Sequence, residues 1–192
     1  MSLSHIKVHD FDNWQDYYWQ YQYILAKEYY IPELISTNIS IENKKILDIG
    51  CGNGGFATAF SEYNTFVTGI EIKEFNWKNN NVNFVIHDIM QNNSIERLDG
   101  PYDIIILRDV IEHIPLSKKY EFIKAAIKLG SINTIYLVTF PPYYSPFGIH
   151  QQTLLKSILK YIPYLSCIPK SILLIIMRLF NENKKSFDQI NE

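Results

Sequence analysis

The chain has 192 residues, 47% of them hydrophobic and 20% charged, and a formal net charge of −2. These values fit one soluble globular domain that is long enough to bury a large core. Its two cysteines, Cys51 and Cys167, offer neither a disulfide framework nor a metal-ligand spacing, and the polar N-terminus does not resemble a secretory signal. We therefore predict a cytoplasmic protein without a metal site.

Charge is distributed unevenly along the chain. Residues 1–121 contain 10 Lys or Arg and 17 Asp or Glu, whereas residues 122–181 contain six Lys or Arg and no acidic residue. A basic, apolar C-terminal third on an acidic body favours an anionic or interfacial partner for that third. A solvated basic face accounts for the same pattern equally well, so both interpretations stay open.

The first element in chain order is a helical segment, residues 1–40. The aromatic-rich stretch from 13 to 38 predicts a helix in two pieces, with Asp12 as the N-cap of the first and Pro32 near the start of the second. We expect this segment to precede a core domain at 41–150 and a helical C-terminal segment at 151–192.

Strands and helices alternate along the core domain. Helices are predicted within 91–98 and from a Ser117 cap to Gly130. Short apolar runs bounded by turn residues predict strands near 45–50, 66–72, 82–87, 102–108 and 133–140. This alternation predicts a Rossmann-like, doubly wound α/β fold, in which helices cover both faces of a parallel sheet.

The stretch "ILDIGCGNGGFATAF" joins the first strand to a helix. Its glycines match G-x-G-x-x-G through Gly55 and G-x-G-x-G through Gly54. In open parallel sheets the ligand lies beyond the carboxyl ends of the strands. Asp48, two residues before Gly50, would repel a dinucleotide pyrophosphate bound at the following helix. A cationic ligand such as S-adenosylmethionine fits this carboxylate better.

Two further carboxylates follow the next two strands. Glu71 is placed to accept hydrogen bonds from ribose hydroxyls, a feature shared with nicotinamide sites. Asp88 is placed to accept from an adenine amino group, with Ile89 against the ring. Each acid alone is explained as a loop cap, but three acids at successive strand ends favour a binding site.

These segments resemble the class I S-adenosylmethionine-dependent methyltransferases. "ILDIGCGNGG", "GIEI", "VIHDI" and "YDIIILRDVIEHIP" carry the resemblance over about residues 40–150, and "FPPYYSPFGIHQQ" is similar to a loop found in one subgroup. Members of this family generally close the sheet with two further strands, the last of them antiparallel, but no clear pair of strands follows Phe140. We therefore expect five parallel strands in the order 3-2-1-4-5, without the final antiparallel strands. The resemblance also implies a cofactor site built from Asp48, Gly50, Cys51, Gly52, Asn53, Gly54, Glu71, Ile72, Asp88, Ile89 and Arg108.

Methyl transfer depends mainly on in-line positioning of the acceptor and exclusion of water, and an oxygen acceptor usually also needs a base. The candidate bases are Asp109, His113 and His150, although a packing role beside Pro115 also accounts for His113. Pro-Pro follows the fifth strand rather than the fourth and is preceded by Phe140, which argues against methylation of DNA amines. We therefore expect a small-molecule acceptor and O-methylation, and no nucleic-acid partner.

Two alternatives belong to other functional classes. A nicotinamide-dependent oxidoreductase could use the same glycine-rich loop, but Asp48 and the absence of a substrate domain disfavour it. A non-catalytic module that binds S-adenosylmethionine without turnover is also compatible with the sequence.

The C-terminal segment contains two apolar helical patterns. Leu154, Leu155, Ile158, Leu159 and Ile162 predict one helix that ends at Pro163. Ser171 is predicted to cap a second helix, from Ile172 to Phe180. Neither is long enough to span a bilayer. Residues 151–180 are therefore expected to pack in a core, form a dimer face, or serve as a lid or peripheral membrane contact for an apolar or lipid-like acceptor.

Overall fold

The computed structural model describes residues 6–91, 94–149 and 151–182. The chain forms two compact units. The first, here called the sheet unit, comprises Met1–Ile111 and Lys118–Thr139. The second, the C-terminal unit, comprises Glu112–Ser117 and Phe140–Glu192.

A parallel sheet of five strands forms the centre of the sheet unit. The strand order is β3-β2-β1-β4-β5, which confirms the predicted topology. The strands are β1 (Lys45–Ile49), β2 (Phe66–Glu71), β3 (Val82–Ile86), β4 (Tyr102–Arg108) and β5 (Gly130–Thr139). The last strand begins earlier than predicted, because Gly130 already pairs with Tyr102 of β4.

The two central strands are almost wholly buried, as expected for a sheet covered on both faces. Ile46 and Leu47 of β1 and Ile104 to Leu107 of β4 are all at most 3% exposed. Asp48 pairs with Gly69 on one side and Ile106 on the other. The register therefore places a carboxylate in the middle of the sheet, close to the carboxyl ends of the strands.

The helices follow the predicted alternation. They are α1 (Trp14–Leu25), α2 (Ile31–Ser36), α3 (Gly55–Ser61), α4 (Ser94–Arg97), α5 (Leu116–Lys128), α6 (Gln151–Leu154) and α7 (Lys170–Leu179), and the π-helix Ala26–Tyr30 joins α1 to α2. The predicted N-cap Asp12 is wrong by one residue. Asn13 caps α1 instead, since its Oδ1 accepts from the Asp16 backbone N–H at 2.9 Å.

The C-terminal unit has its own apolar core. Six buried side chains form it: Ile149, Leu155, Leu159, Leu165, Leu173 and Met177. The predicted helix from Leu154 to Ile162 is wrong, because α6 ends at Leu154 and a separate 3-10 turn covers Ile158–Tyr161. The carboxylate of Glu182 accepts from the backbone N–H groups of Lys156 and Ser157 at 2.9 and 2.6 Å. The Glu182 side chain thus accepts the hydrogen bonds that backbone carbonyl groups would accept in a continuous helix.

Candidate functional site

The loop between β1 and α3 is a tight backbone cradle built on glycine. Gly50, Gly52 and Gly54 have φ angles of 75°, 54° and 83°, a region that residues with a Cβ rarely adopt. At two of these glycines, a Cβ atom would also come too close to a neighbouring side chain. A Cβ on Gly50 would lie 2.5 Å from Val110, and one on Gly54 would lie 2.5 Å from Phe84.

Hydrogen bonds from the loop to acceptors on β2 hold this cradle in place. The backbone N–H groups of Gly50 and Cys51 donate to the Ile70 carbonyl at 2.8 and 3.0 Å. The Gly52 N–H donates to Glu71 Oε2 at 3.1 Å, and the Ile72 N–H donates to Oε1 at 2.9 Å. Each carboxylate oxygen of Glu71 keeps a second lone pair, so this side chain retains acceptor capacity for ribose hydroxyls.

Asp48 is the most unusual ionisable group of the cradle. It is 3% exposed, and its Oδ2 accepts no hydrogen bond from the described residues. Burial raises the pKa of Asp48 to about 6; the nearby Arg108 charge opposes this shift and Glu71 adds to it. A buried carboxylate oxygen that no described residue contacts by a hydrogen bond makes Asp48 a candidate for binding a cationic ligand group.

Arg108, at the end of β4, supplies the opposite charge. Side chains two residues apart point to the same face of a strand, and Asp48 is paired with Ile106, so Asp48 and Arg108 share one face of the sheet. The guanidinium lies 4.9 Å from the centre of the Phe56 ring and forms a 3.0 Å ion pair with Asp109. Its Nε is buried and has no hydrogen-bond acceptor among the described residues.

The other predicted cofactor residues differ in their burial and in their hydrogen bonds. Asp88 follows β3 and its Oδ1 accepts from the Met90 N–H at 2.9 Å, while Ile89 is buried. Ile72 is largely exposed. The Cys51 thiol is 3% exposed and lies beside Gly69, so only its backbone faces the cradle. Burial raises the pKa of this thiol.

The three predicted bases lie in different parts of the chain. Asp109 follows β4 with a φ of 54°, and its Oδ1 accepts from the Thr139 hydroxyl at 3.4 Å. His113 lies in a 3-10 turn of the C-terminal unit, Ile111–His113. His150 lies outside the described residues. Asp109 is thus the candidate base that the structure places beside Arg108.

The proline-rich loop after β5 belongs to the C-terminal unit. Two turns shape it, in which Ser145 N–H donates to the Pro142 carbonyl at 2.8 Å and Gly148 N–H donates to the Ser145 carbonyl at 3.2 Å. Tyr143 and Tyr144 pack edge to face with their ring centres 5.0 Å apart. Burial raises the pKa of the Tyr143 phenol, and the neighbouring Tyr144 contributes to this shift.

Several contacts to the glycine loop involve residues that the motif did not identify. Trp77 donates its indole N–H to the Gly52 carbonyl at 2.9 Å and stacks on Phe84 with ring centres 4.8 Å apart. The Asn53 side-chain amide donates to the Gln15 carbonyl of α1 at 3.0 Å. A pattern search confined to the loop gives no signal for these partners, since they lie 25 and 38 residues away.

A cleft of about 730 Å³ lies behind this loop. Of the predicted cofactor residues only Asn53 lines it, together with side chains from α1 and from residues 75–81. The Asp16–Lys78 ion pair, 2.8 Å long, joins these two walls. Neither Asp48 nor Arg108 lines this cleft. Within the described ranges, no group of three His, Cys, Asp or Glu side chains could hold a metal ion.

Comparison with protein families decides between the possible cofactor classes. Residues 18–134 match the family described as "Methyltransferase domain", which is more than half of the chain. The chain belongs to this methyltransferase family. The resemblance to class I S-adenosylmethionine-dependent methyltransferases is thereby confirmed, and the oxidoreductase alternative loses its basis.

Curated relatives of this methyltransferase include enzymes named ubiquinone biosynthesis O-methyltransferase. The protein from Hydrogenovibrio crunogenus is 30% identical over 90 residues, covering 43% of this chain and 37% of the relative. The protein from Pseudomonas fluorescens is 26% identical over 88 residues, covering 42% and 38%. The chain thus matches less than two-fifths of the length of these relatives.

Solved structures agree with the methyltransferase fold. An S-adenosylmethionine-dependent methyltransferase from Archaeoglobus fulgidus is 18% identical with a TM-score of 0.51, covering 80% of this chain and 68% of the other. One from Clostridium acetobutylicum is 14% identical with a TM-score of 0.50, covering 66% and 54%. At this identity the likeness concerns the fold.

The residues of the methyltransferase site fit the cofactor that its fold implies. The methionine end of S-adenosylmethionine carries an ammonium and a carboxylate. The site offers one buried carboxylate, Asp48, and the Arg108 guanidinium, whose side chain is 9% exposed, and each has a buried polar atom without a hydrogen-bond partner among the described residues. The glycine cradle leaves room for close backbone approach, and Glu71 retains acceptor capacity at the ribose position.

Proposed function

We propose that this methyltransferase uses S-adenosylmethionine to methylate an oxygen atom of a small acceptor with apolar character. The observation that carries the cofactor part is the buried Asp48 carboxylate, which shares a sheet face with the Arg108 guanidinium. The names of the curated relatives support an oxygen acceptor, although the match covers only part of each relative.

The cofactor-facing residues would bind and orient rather than react. When bound, S-adenosylmethionine supplies an electrophilic methyl group on a sulfonium. Asp48 would hold the ammonium, and Arg108 would face the carboxylate with its unpartnered Nε. Glu71 would accept from the ribose hydroxyls, while Asp88 and Ile89 would contact the adenine. These contacts fix the direction from which an acceptor oxygen must approach.

Asp109 is the residue best placed to take the acceptor proton. It is exposed at the end of β4, next to Arg108, and Thr139 fixes one of its oxygens. In the proposed reaction the O–H bond of the acceptor breaks as its proton passes to the Asp109 carboxylate. The oxygen–methyl bond forms as the sulfur–methyl bond breaks, and the proton then leaves to solvent.

The reaction can be tested with methyl-labelled S-adenosylmethionine and a panel of small phenols, catechols and aromatic amines. We expect labelled methyl ethers, equal release of S-adenosylhomocysteine, and a loss of rate of at least about 100-fold in Asp109→Asn, the usual scale for removing a general base. Thr139→Val is the control for a merely displaced carboxylate, and should lose less than Asp109→Asn.

Two outcomes would contradict the proposal. Label found only on amines would show an N-methyltransferase. Tight binding of S-adenosylhomocysteine without transfer to any acceptor would support the non-catalytic module.

A further inference from the structure

The C-terminal unit carries a helix that is apolar on two sides. The inner side of α7 packs into the core of this unit through Leu173 and Met177, which are 2% and 1% exposed. Ile176 lies on the same side and packs against this core. These three residues attach one side of the helix to the core of the unit.

The outer side of α7 is equally apolar but faces solvent. Ile172, Ile175 and Leu179 recur at helical spacing and are 49%, 57% and 75% exposed, and Phe180 follows at 44%. A helix in water normally carries polar residues on the side away from the core. An apolar row of this kind therefore indicates a surface that is covered in use.

A second exposed apolar group lies in the same unit. It comprises Ile158, Tyr161, Ile162 and Tyr164, which are between 41% and 66% exposed. Tyrosines combine an apolar ring with a polar tip and suit the boundary between lipid headgroups and hydrocarbon.

The charges of the unit are of one sign around these residues. Lys156, Lys160, Lys170 and Arg178 lie within or beside the two apolar groups, and residues 122–181 contain no Asp or Glu. Glu182 is the first acid after them, and its carboxylate is occupied by the backbone N–H groups of Lys156 and Ser157. Glu182 keeps its negative charge, but the four cations outnumber it, so this surface is net positive, which favours an anionic partner.

We propose that the C-terminal unit binds the surface of an anionic lipid bilayer, with the outer side of α7 seated at the boundary of headgroups and acyl chains. Apolar area and basic residues together provide this kind of peripheral attachment. A second copy of the chain is the poorer occupant, because a symmetric contact would bring the same four cations face to face. The inference does not depend on the proposed reaction.

The attachment concerns the surface of the membrane rather than its interior. No helix in the described part of the chain is long and apolar enough to cross a bilayer. With ten residues, α7 is about 15 Å long, half of a hydrocarbon core.

Vesicle co-sedimentation of the full chain tests the proposal. We expect binding to vesicles of phosphatidylcholine mixed with phosphatidylglycerol, and at least about tenfold less binding to phosphatidylcholine alone. Ile175→Ser combined with Leu179→Ser should lower binding to the anionic vesicles at least about tenfold. Ile132→Ser is the matched control, since Ile132 is an apolar residue of the sheet unit that is 98% exposed.

Two further measurements make the test independent of the folding of that variant. Lys170→Gln combined with Arg178→Gln should weaken binding to anionic vesicles, and high salt should weaken binding of the unaltered chain. Equal binding to both vesicle types, anionic binding that survives the Ile175/Leu179 changes, or salt-independent binding would overturn the proposal. Self-association of the unaltered chain without vesicle binding, lost in the Ile175/Leu179 variant, would show that a second copy covers the surface.

Discussion

Asp48 combines burial, a raised pKa and a carboxylate oxygen without a hydrogen-bond partner among the described residues. A buried carboxylate without a hydrogen-bond donor destabilises the folded chain, because the charged form loses its hydration. The folded state therefore holds the proton of Asp48 up to a pH of about 6, whereas its ordinary pKa is 3.8. A ligand ammonium beside the carboxylate would reverse this preference. We therefore interpret Asp48 as a binding group. It destabilises the free protein, and cofactor binding offsets that loss of stability.

The Asp48→Asn variant should separate stability from binding. In the free protein, the raised pKa of Asp48 means that stability is lost as pH rises from about 4 to about 6. That loss amounts to about 3 kcal/mol at neutral pH. The variant should therefore unfold at higher denaturant than the unaltered chain at pH 7, and the gap should narrow towards pH 4.

Denaturant titrations at several pH values provide the measurement, with Asp99→Asn as the control, since the Asp99 carboxylate is exposed and paired with Lys45. The same Asp48 variant should bind S-adenosylhomocysteine more weakly. A gap that is constant with pH, or a variant that is less stable at pH 7, would contradict the proposed role of the buried charge.

At the scale of elements, the glycine loop depends on three neighbours. β2 holds it through Ile70 and Glu71, the segment before β3 holds it through Trp77, and α1 holds it through Gln15. The loop motif alone identifies the first strand, the turn and the helix. Its attachments are non-local, and only the packing of α1 against α3 and of Trp77 against Phe84 reveals them.

Gly55 tests the contact between α1 and α3. A Cβ at this position would overlap the backbone carbonyl of Trp19, which cannot move without displacing α1. We expect Gly55→Ala to lower the free energy of unfolding by about 1–3 kcal/mol, the usual cost of overpacking.

Thermal and denaturant unfolding would measure this loss. Ser61→Ala, at the other end of α3, is the control and should cost less, because it removes only the hydrogen bond to the Thr58 carbonyl and a 3.3 Å hydrogen bond accepted from the Asn79 side-chain amide, and displaces no backbone. If Gly55→Ala is as stable as the unaltered chain, α1 does not approach α3 as closely as the structure shows.

The sequence predicted the features that depend on local patterns and missed those that depend on contacts between distant residues. Apolar runs predicted all five strands, and the resemblance implied their order. The helix predicted at Leu154 to Ile162 failed because Glu182, 25 residues beyond Ser157, satisfies the backbone there. The roles of Trp77 and Gln15 were missed for the same reason. Asp48 was identified from its place before the glycines. Only the strand register, however, shows that Asp48 and Arg108 lie on the same face of the sheet.

At the scale of the whole molecule, the two units carry different candidate sites. The sheet unit contains the parallel sheet and all the predicted cofactor residues. The C-terminal unit contains the proline-rich loop, His113 and the apolar surface of α7. The proposed reaction and the proposed attachment to a lipid surface can therefore be tested separately, since variants of α7 leave the cofactor residues unchanged.

Calorimetric titration of the full chain with S-adenosylhomocysteine and, separately, with NAD is the most direct measurement. We predict one binding site for S-adenosylhomocysteine, an affinity that rises with pH through about 6 as Asp48 loses its proton, and no measurable binding of NAD. In the Asp48→Asn variant the affinity should fall by about 10-fold or more, the usual range for a lost charge-assisted hydrogen bond. Binding of NAD without binding of S-adenosylhomocysteine would contradict the assignment of this cradle to the methyltransferase cofactor.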